Sequence, residues 1–215
     1  MATANTNEPP NCEAADLQRF DYLTAAELRA YNKTDRWRSS WMTFYGALAL
    51  GQLTYSLSLD NRDRKVDVYT SAATAIVGFV AIARLPLLTP AKHEHFQNRF
   101  RQTADKSSKC LQLGELEQDF ANIAAGERQG KSFKRHASAV AFNVGVALFL
   151  GFGFHHWRTA VVKTITGIAI SELAIYSQPT LADDSRHEYE GLSFGLQGAN
   201  HSPSTPRFLT YQFSF

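Results

Sequence analysis

Apolar residues are concentrated in four windows of the chain, and polar residues fill the segments between them. The windows lie at residues 41–59, 68–88, 137–154 and 159–177. Each is close to the roughly 17–25 residues that an α-helix needs to cross the hydrocarbon core of a bilayer. The third window has no charged residue, whereas a helix of a soluble protein usually keeps a polar face. The pattern therefore favours four membrane-spanning helices over four buried helices of a soluble protein.

The segments outside these windows predict helices that lie outside the membrane. Residues 13–40 have an incomplete apolar stripe and are expected to form a helix, which breaks where Thr24 and Glu27 match a capping box. Apolar positions recur at near-helical spacing over residues 110–129, which predicts an amphipathic helix within the polar segment 89–136. The membrane bundle is therefore expected to carry a helical polar part.

The expected fold is all-α, a four-transmembrane-helix bundle made of two hairpins at residues 41–88 and 137–178. The second pair of windows is joined only by residues 155–158, which predicts a helical hairpin. Residues 1–12 are expected to be disordered, because they are rich in Asn, Thr and Pro. The polar tail, 179–215, has two stretches of strand-like aromatic alternation, so we expect a small β-hairpin or disorder there.

The overall charge excludes one class of partner. The chain of 215 residues has 22 Lys and Arg and 20 Asp and Glu, a net charge of +2. It therefore has no global positive field of the kind that attracts nucleic acid. The mean hydropathy of −0.26 is typical of a soluble chain, but this average hides the segregation of polar and apolar segments. The partner expected for the apolar windows is the lipid bilayer.

Four crossings place residues 1–40, 89–136 and the tail on one side of the membrane, which we call the larger polar face. This face carries many Lys and Arg residues, so the positive-inside rule favours the cytoplasm for it. Cys12 and Cys110 also belong to this face, where they form either one disulfide or two free thiols. A disulfide favours the periplasm instead, although the first ten residues have no apolar signal-peptide core.

Two charged residues lie inside the fourth window, Lys163 and Glu172. They are nine residues apart, which places them on opposite faces of a helix, so they are not expected to pair. Lys163 is about one turn from its helix end, and its long side chain is expected to reach the membrane interface. Glu172 lies deeper, about 9 Å from the other end of the helix.

Glu172 is expected to belong to a cluster of polar side chains inside the bundle. Arg84 and Asn143 lie about 6 Å and about 9 Å from the same side of the membrane, and Tyr45 is a fourth candidate member. Intramembrane charges normally face the bundle interior and are paired, and an Arg–carboxylate pair with an amide donor would satisfy most of these groups. The cluster either fixes helix packing and register or carries protons or ions through Glu172.

Other polar side chains give weaker indications of chemistry. His93, Glu94 and His95 include two metal-type ligands, but their spacing is not HExxH and no third ligand is fixed, so a polar loop without a metal is expected. An enzyme that acts on lipid headgroups would use four residues near the larger polar face, His136, Asp183, Asp184 and His187. No nucleophile motif, phosphate loop or CxxC accompanies them, so no cofactor is expected.

Four short motifs stand out along residues 12–182: the early Cys12, the aromatic start of the first crossing (Trp37, Trp41, Tyr45 and Gly46), Asn143 within AFNVGVALFLG, and the late ISELAIYSQPT. Together they resemble a family of uncharacterised bacterial four-helix envelope proteins. The resemblance implies no activity. Members of that family begin with an export signal, which implies that Cys12 and Cys110 lie outside the cytoplasm.

These patterns favour an integral membrane protein that acts as a structural, scaffold or accessory interaction protein, with a protein partner at the larger polar face. The alternative function is a small proton- or ion-coupled transporter or channel component that uses Glu172, and the third is the headgroup enzyme. The expected location is the bacterial inner membrane. Seven glycines in the windows fit close helix packing, within the chain or in a homo-oligomer: Gly46, Gly51, Gly78, Gly145, Gly151, Gly153 and Gly167.

Overall fold

The computed structural model describes residues 13–101, 103 and 105–185. Throughout this part the chain is helical and forms no strand. The helices are α1 (Ala14–Leu57), α2 (Arg62–Ala83), α3 (Pro90–Phe96), a π-helical turn (Gln97–Arg101), α4 (Lys106–Gly130), α5 (Phe133–Phe154) and α6 (Trp157–Tyr176). The all-α prediction is confirmed for this part. The predicted disorder of residues 1–12 and the predicted β-hairpin of the tail lie outside the described residues.

Helix α1 joins the predicted extramembrane helix and the first apolar window into one element. It begins with a capping box between Glu13 and Asp16 and continues for 44 residues, about 66 Å at 1.5 Å per residue. The break predicted at Thr24 is wrong. The Thr24 hydroxyl donates to the carbonyl of Phe20, 2.9 Å away within the same helix, so it does not cap a new helix.

Three helical segments are long and apolar enough to cross a membrane, Arg62–Ala83, Lys106–Phe154 and Trp157–Ser185, which is consistent with an integral membrane protein. The second segment contains both α4 and α5, and its apolar part is α5, because charged residues recur along α4. The predicted crossing at residues 41–59 is not among the three, so the structure does not support the count of four.

The long helices pair into two antiparallel hairpins. Asn61 caps the start of α2, where its side chain accepts hydrogen bonds from the backbone N–H groups of Asp63 and Arg64. His155 ends α5 in the left-handed conformation, with φ 61°, a conformation that histidine adopts more readily than most residues. The two hairpins are therefore α1 with α2 and α5 with α6.

A second core lies outside the hairpins and defines what we call the polar domain: the first half of α1, α3, the π-helical turn, α4 and residues 181–185. Its buried apolar residues are Phe20, Leu23, Ala26, Ala30, Phe96, Phe100, Leu116, Phe120, Ala124 and Ala182. The predicted helix at residues 110–129 corresponds to α4, at whose start Asp105 accepts a hydrogen bond from the backbone N–H of Ser108. Thr89 caps α3 and Pro90 occupies its first turn. These two residues favour a helix in a segment that has no apolar periodicity.

Large apolar side chains cover the outside of the hairpins. On α5 only Asn143, Leu150 and Gly151 are buried. The exposed apolar residues include Leu50, Leu57, Ile76, Val80, Leu148, Phe149, Phe152, Val161 and Ile165. A continuous belt of this kind is unusual on a soluble monomer and fits a surface that faces lipid.

Candidate functional site

Tyr45 contacts both hairpins from within α1. Its side chain is buried and packs on Gly78 of α2, where a Cβ would lie 2.5 Å from the ring. Ser171 on α6 lies beside its hydroxyl, and both residues line the space between the hairpins. Tyr45 therefore connects the hairpins at a position next to Glu172.

Asn143 holds α5 against α6. The residue is 4% exposed, and its amide nitrogen donates to the carbonyl of Ala139 at 2.8 Å. Its amide oxygen lies where a Cβ of residue 167 would be, so the close approach requires Gly167. This geometry gives Asn143 a role in helix packing.

Glu172 pairs with histidine rather than with arginine. Its Oε2 lies 2.6 Å from Nδ1 of His136 at the start of α5, and both side chains are 25% exposed. Arg84 is exposed at the end of α2 and forms none of the ion pairs found among the described residues. The structure therefore connects Tyr45 and Glu172 through adjacent residues but does not place Arg84 with them.

Lys163 reaches a neighbouring helix instead of open solvent. Its ammonium group donates to the backbone carbonyl of Asp67 near the start of α2. The Asp67 carboxylate also lies 3.0 Å from Nδ1 of His156 in the loop between α5 and α6. The end of the bundle that contains the two short loops, which we call the short-loop end, thus carries its own group of partnered polar side chains.

A cavity of about 460 Å³ lies between the hairpins and runs from Lys163 towards Gln178. Its walls come from α1, α2, α5 and α6, and are mainly apolar. Arg135 lines the end next to the polar domain. We call this space the inter-hairpin slot. It falls within the roughly 300–1,000 Å³ typical of small-molecule sites.

Two carboxylates are buried in the polar domain, and the sequence interpretation missed both. Glu27 is completely buried on α1, where Nδ1 of His93 lies 2.9 Å from Oε1 and the Gln97 amide donates to Oε2 at 3.0 Å. Tyr31 stacks on the His93 ring with centroids 3.8 Å apart. Burial raises the pKa of Glu27, and the hydrogen bond from His93 opposes this change.

Glu127 holds the C-terminal segment to α4. Its Oε2 accepts hydrogen bonds from the backbone N–H groups of Ala182 and Asp183 at 2.9 and 3.0 Å. Its Oε1 is buried and has no partner within the described part of the chain. Burial in the polar domain raises the pKa of Glu127 to about 7. One signal was present in the sequence, because Glu127 continues the apolar stripe of Leu116, Phe120 and Ala124.

The remaining candidates are engaged in local contacts. His93 bonds Glu27, Asp183 pairs with Arg128, and Asp184 accepts a hydrogen bond from the Thr180 hydroxyl. His187 lies outside the described residues. Across residues 13–101, 103 and 105–185, no group of three metal-type side chains is arranged to hold an ion.

Cys110 is disulfide-bonded. The only other cysteine in the chain is Cys12, which lies outside the described residues. The pairing of these two cysteines therefore stays a prediction, although the free-thiol alternative does not apply to Cys110.

The chain matches no protein-family model, and no curated protein or solved structure is significantly similar to it.

Proposed function

We propose that this chain is a membrane scaffold or accessory protein, in which the hairpins anchor the polar domain and the polar domain binds a protein partner. The observation that carries the proposal is the continuity of α1. Its first half supplies Phe20 and Leu23 to the core of the polar domain, and its second half supplies Trp37 and Tyr45 to the core of the hairpins. A membrane anchor joined rigidly to a folded domain suits presentation of that domain to a partner.

Contacts at the junction support this rigid connection. The indole N–H groups of Trp37 and Trp41 both donate to the hydroxyl of Ser177, at 3.0 and 3.1 Å. The Gln178 amide donates to the carbonyl of Glu127 at 3.0 Å. These bonds join the end of α6 to α1 and α4, where the membrane part meets the polar domain.

The proposed arrangement includes a fourth crossing by the second half of α1. This half pairs with α2 along its length, and it exposes Phe44, Leu50, Leu53 and Leu57. The location that we propose is the bacterial inner membrane, with the polar domain on the oxidising, periplasmic side. The disulfide at Cys110 supports this side.

Photo-crosslinking in intact cells tests the proposal. Leu111 is exposed on α4 in the polar domain, and Phe149 is exposed on α5 towards lipid. A photoreactive residue at position 111 should give one protein adduct of defined mass, and the same residue at position 149 should give lipid adducts. If the crosslinker at position 111 and at further exposed positions of α4 captures no protein, the scaffold proposal is incorrect.

A second candidate function is proton- or ion-coupled transport, which the His136–Glu172 pair favours. The pair lies beside Arg135 and Ser171, which line the inter-hairpin slot. Glu172→Gln removes the titratable group, so it should abolish proton flux in liposomes if the chain is a transporter. A scaffold should instead keep its crosslinked partner in this variant, provided that helical content measured by circular dichroism is unchanged.

A further inference from the structure

The inter-hairpin slot is elongated along the helices. Its lining on α6 extends from Val162 to Ile175, about 20 Å, and on α2 from Ser71 to Ile82, about 17 Å. A cavity of about 460 Å³ spread over about 20 Å is long and narrow, the shape of an extended hydrocarbon chain.

The walls of the slot suit a hydrocarbon chain. The apolar side chains along it include Leu48, Val77, Phe142, Val146 and Ile170. Polar lining residues such as Thr164 and Asn143 already bond backbone carbonyls of their own helices. An apolar space of this kind does not hold water stably, so within a bilayer a lipid chain is its natural occupant.

The two ends of the slot carry different cations. Lys163, at the short-loop end, donates to the carbonyl of Asp67. Arg135, at the polar-domain end, is half-buried and has no carboxylate partner among the ion pairs of the described residues. A guanidinium group binds phosphate through two parallel hydrogen bonds. The slot therefore joins a cation that has no carboxylate partner in the described part of the chain to an elongated apolar space.

We propose that the inter-hairpin slot binds one acyl chain of an anionic membrane lipid, and that Arg135 binds the phosphate of its headgroup. Lys131 and Lys134 precede Arg135 in the sequence and add positive charge at this end, which favours a headgroup with net negative charge over a zwitterionic one. This lipid would fill the space between two hairpins that otherwise share few contacts.

Native mass spectrometry of the delipidated chain tests the proposal without any substitution. Phosphatidylglycerol and phosphatidylcholine with identical acyl chains serve as the probes. We expect one phosphatidylglycerol per chain, bound at least about tenfold more tightly than phosphatidylcholine, because the choline cation of the latter is repelled by Lys131, Lys134 and Arg135. Equal affinity for the two lipids would overturn the proposal.

Two pairs of matched variants locate the bound lipid. Arg135→Gln should weaken phosphatidylglycerol binding about tenfold, while Arg158→Gln, which removes an exposed cation at the opposite end of the bundle, should not. Ala139 lines the slot and Ala141 does not. Ala139→Leu should therefore reduce binding of both lipids, and Ala141→Leu should leave it unchanged.

Two outcomes of these variants, and one of the unmodified chain, contradict the proposal. Unchanged binding in Arg135→Gln would mean that Arg135 does not bind the headgroup. Unchanged binding in Ala139→Leu would place the lipid outside the slot. A lipid-free dimer, with a second copy of the chain in the slot, would also overturn it.

Discussion

Glu127 connects residues 181–185 to α4 through two backbone hydrogen bonds, although its own environment disfavours the charged form. Desolvation is the main cause of its raised pKa, and the two backbone N–H groups oppose it. Because the folded-state pKa of about 7 exceeds the ordinary value of 4.5, the protonated group favours folding. Its contribution is complete below about pH 4.5 and is lost as the pH rises through about 7.

The free energy of unfolding should therefore decrease between pH 5 and pH 8, and Glu127→Gln should reduce that decrease. A shift from 4.5 to about 7 corresponds to at most about 3 kcal/mol. Glu27, whose pKa is raised in the same direction, should supply the remaining dependence. Denaturant unfolding in mild detergent across this pH range provides the measurement.

Glu94→Gln is the control for this experiment, because Glu94 is an exposed residue of α3. This variant should keep the full pH dependence of the unmodified chain. A stability that does not change with pH in the unmodified chain, or an undiminished decrease in Glu127→Gln, would contradict the role given to Glu127.

The sequence indicated several polar residues inside the hairpins, but it did not indicate the partners of their side chains. The rise per residue gives the depth of Arg84, Asn143 and Glu172 in a membrane. It does not give the direction in which each side chain points around its helix, which depends on how the helices pack. Asn143 therefore packs against Gly167, whereas Glu172 meets His136, a residue just outside the predicted third window.

Among the elements, the helices of the apolar windows could be predicted from the sequence, because a long apolar run has few alternatives to a helix. Helices α2, α5 and α6 overlap three of the four windows. The continuity of α1 was harder to predict, since Thr24 and Glu27 match a capping box. No proline occurs between residues 14 and 57. Without this helix-breaking residue, α1 continues past Thr24.

Two of the three glycines of helix α4 have opposite surroundings, which gives a test of how the helix packs. A Cβ at Gly126 would overlap the carbonyl oxygen of Pro86, whereas a Cβ at Gly114 would meet no atom within 4 Å. Gly126→Ala should lower the free energy of unfolding by about 1–3 kcal/mol through overpacking. Gly114→Ala should raise it by about 0.5–1 kcal/mol through helix propensity.

Chemical denaturation of both variants at one pH measures this difference. Equal effects of the two substitutions would mean that the segment containing Pro86 does not pack on α4 as described.

For the whole molecule, the charge pattern and the disulfide point to opposite sides of the membrane. Thiol labelling of intact cells with a membrane-impermeant reagent decides between them. If the polar domain is periplasmic, as we propose, Cys110 should be labelled only after reduction and without lysis, because it is disulfide-bonded. Labelling that requires lysis but no reduction would place the domain in the cytoplasm.

The unbroken course of α1 has a mechanical consequence. The part of α1 from Ala14 to Trp37 extends about 35 Å from the hairpins into the polar domain. If the second half of α1 crosses the membrane, as we propose, its tilt changes when the thickness of the bilayer changes. A tilt change of about 10° would move the far end of this helix by about 6 Å. Through this helix, the position of the polar domain would depend on the thickness of the bilayer that surrounds the hairpins.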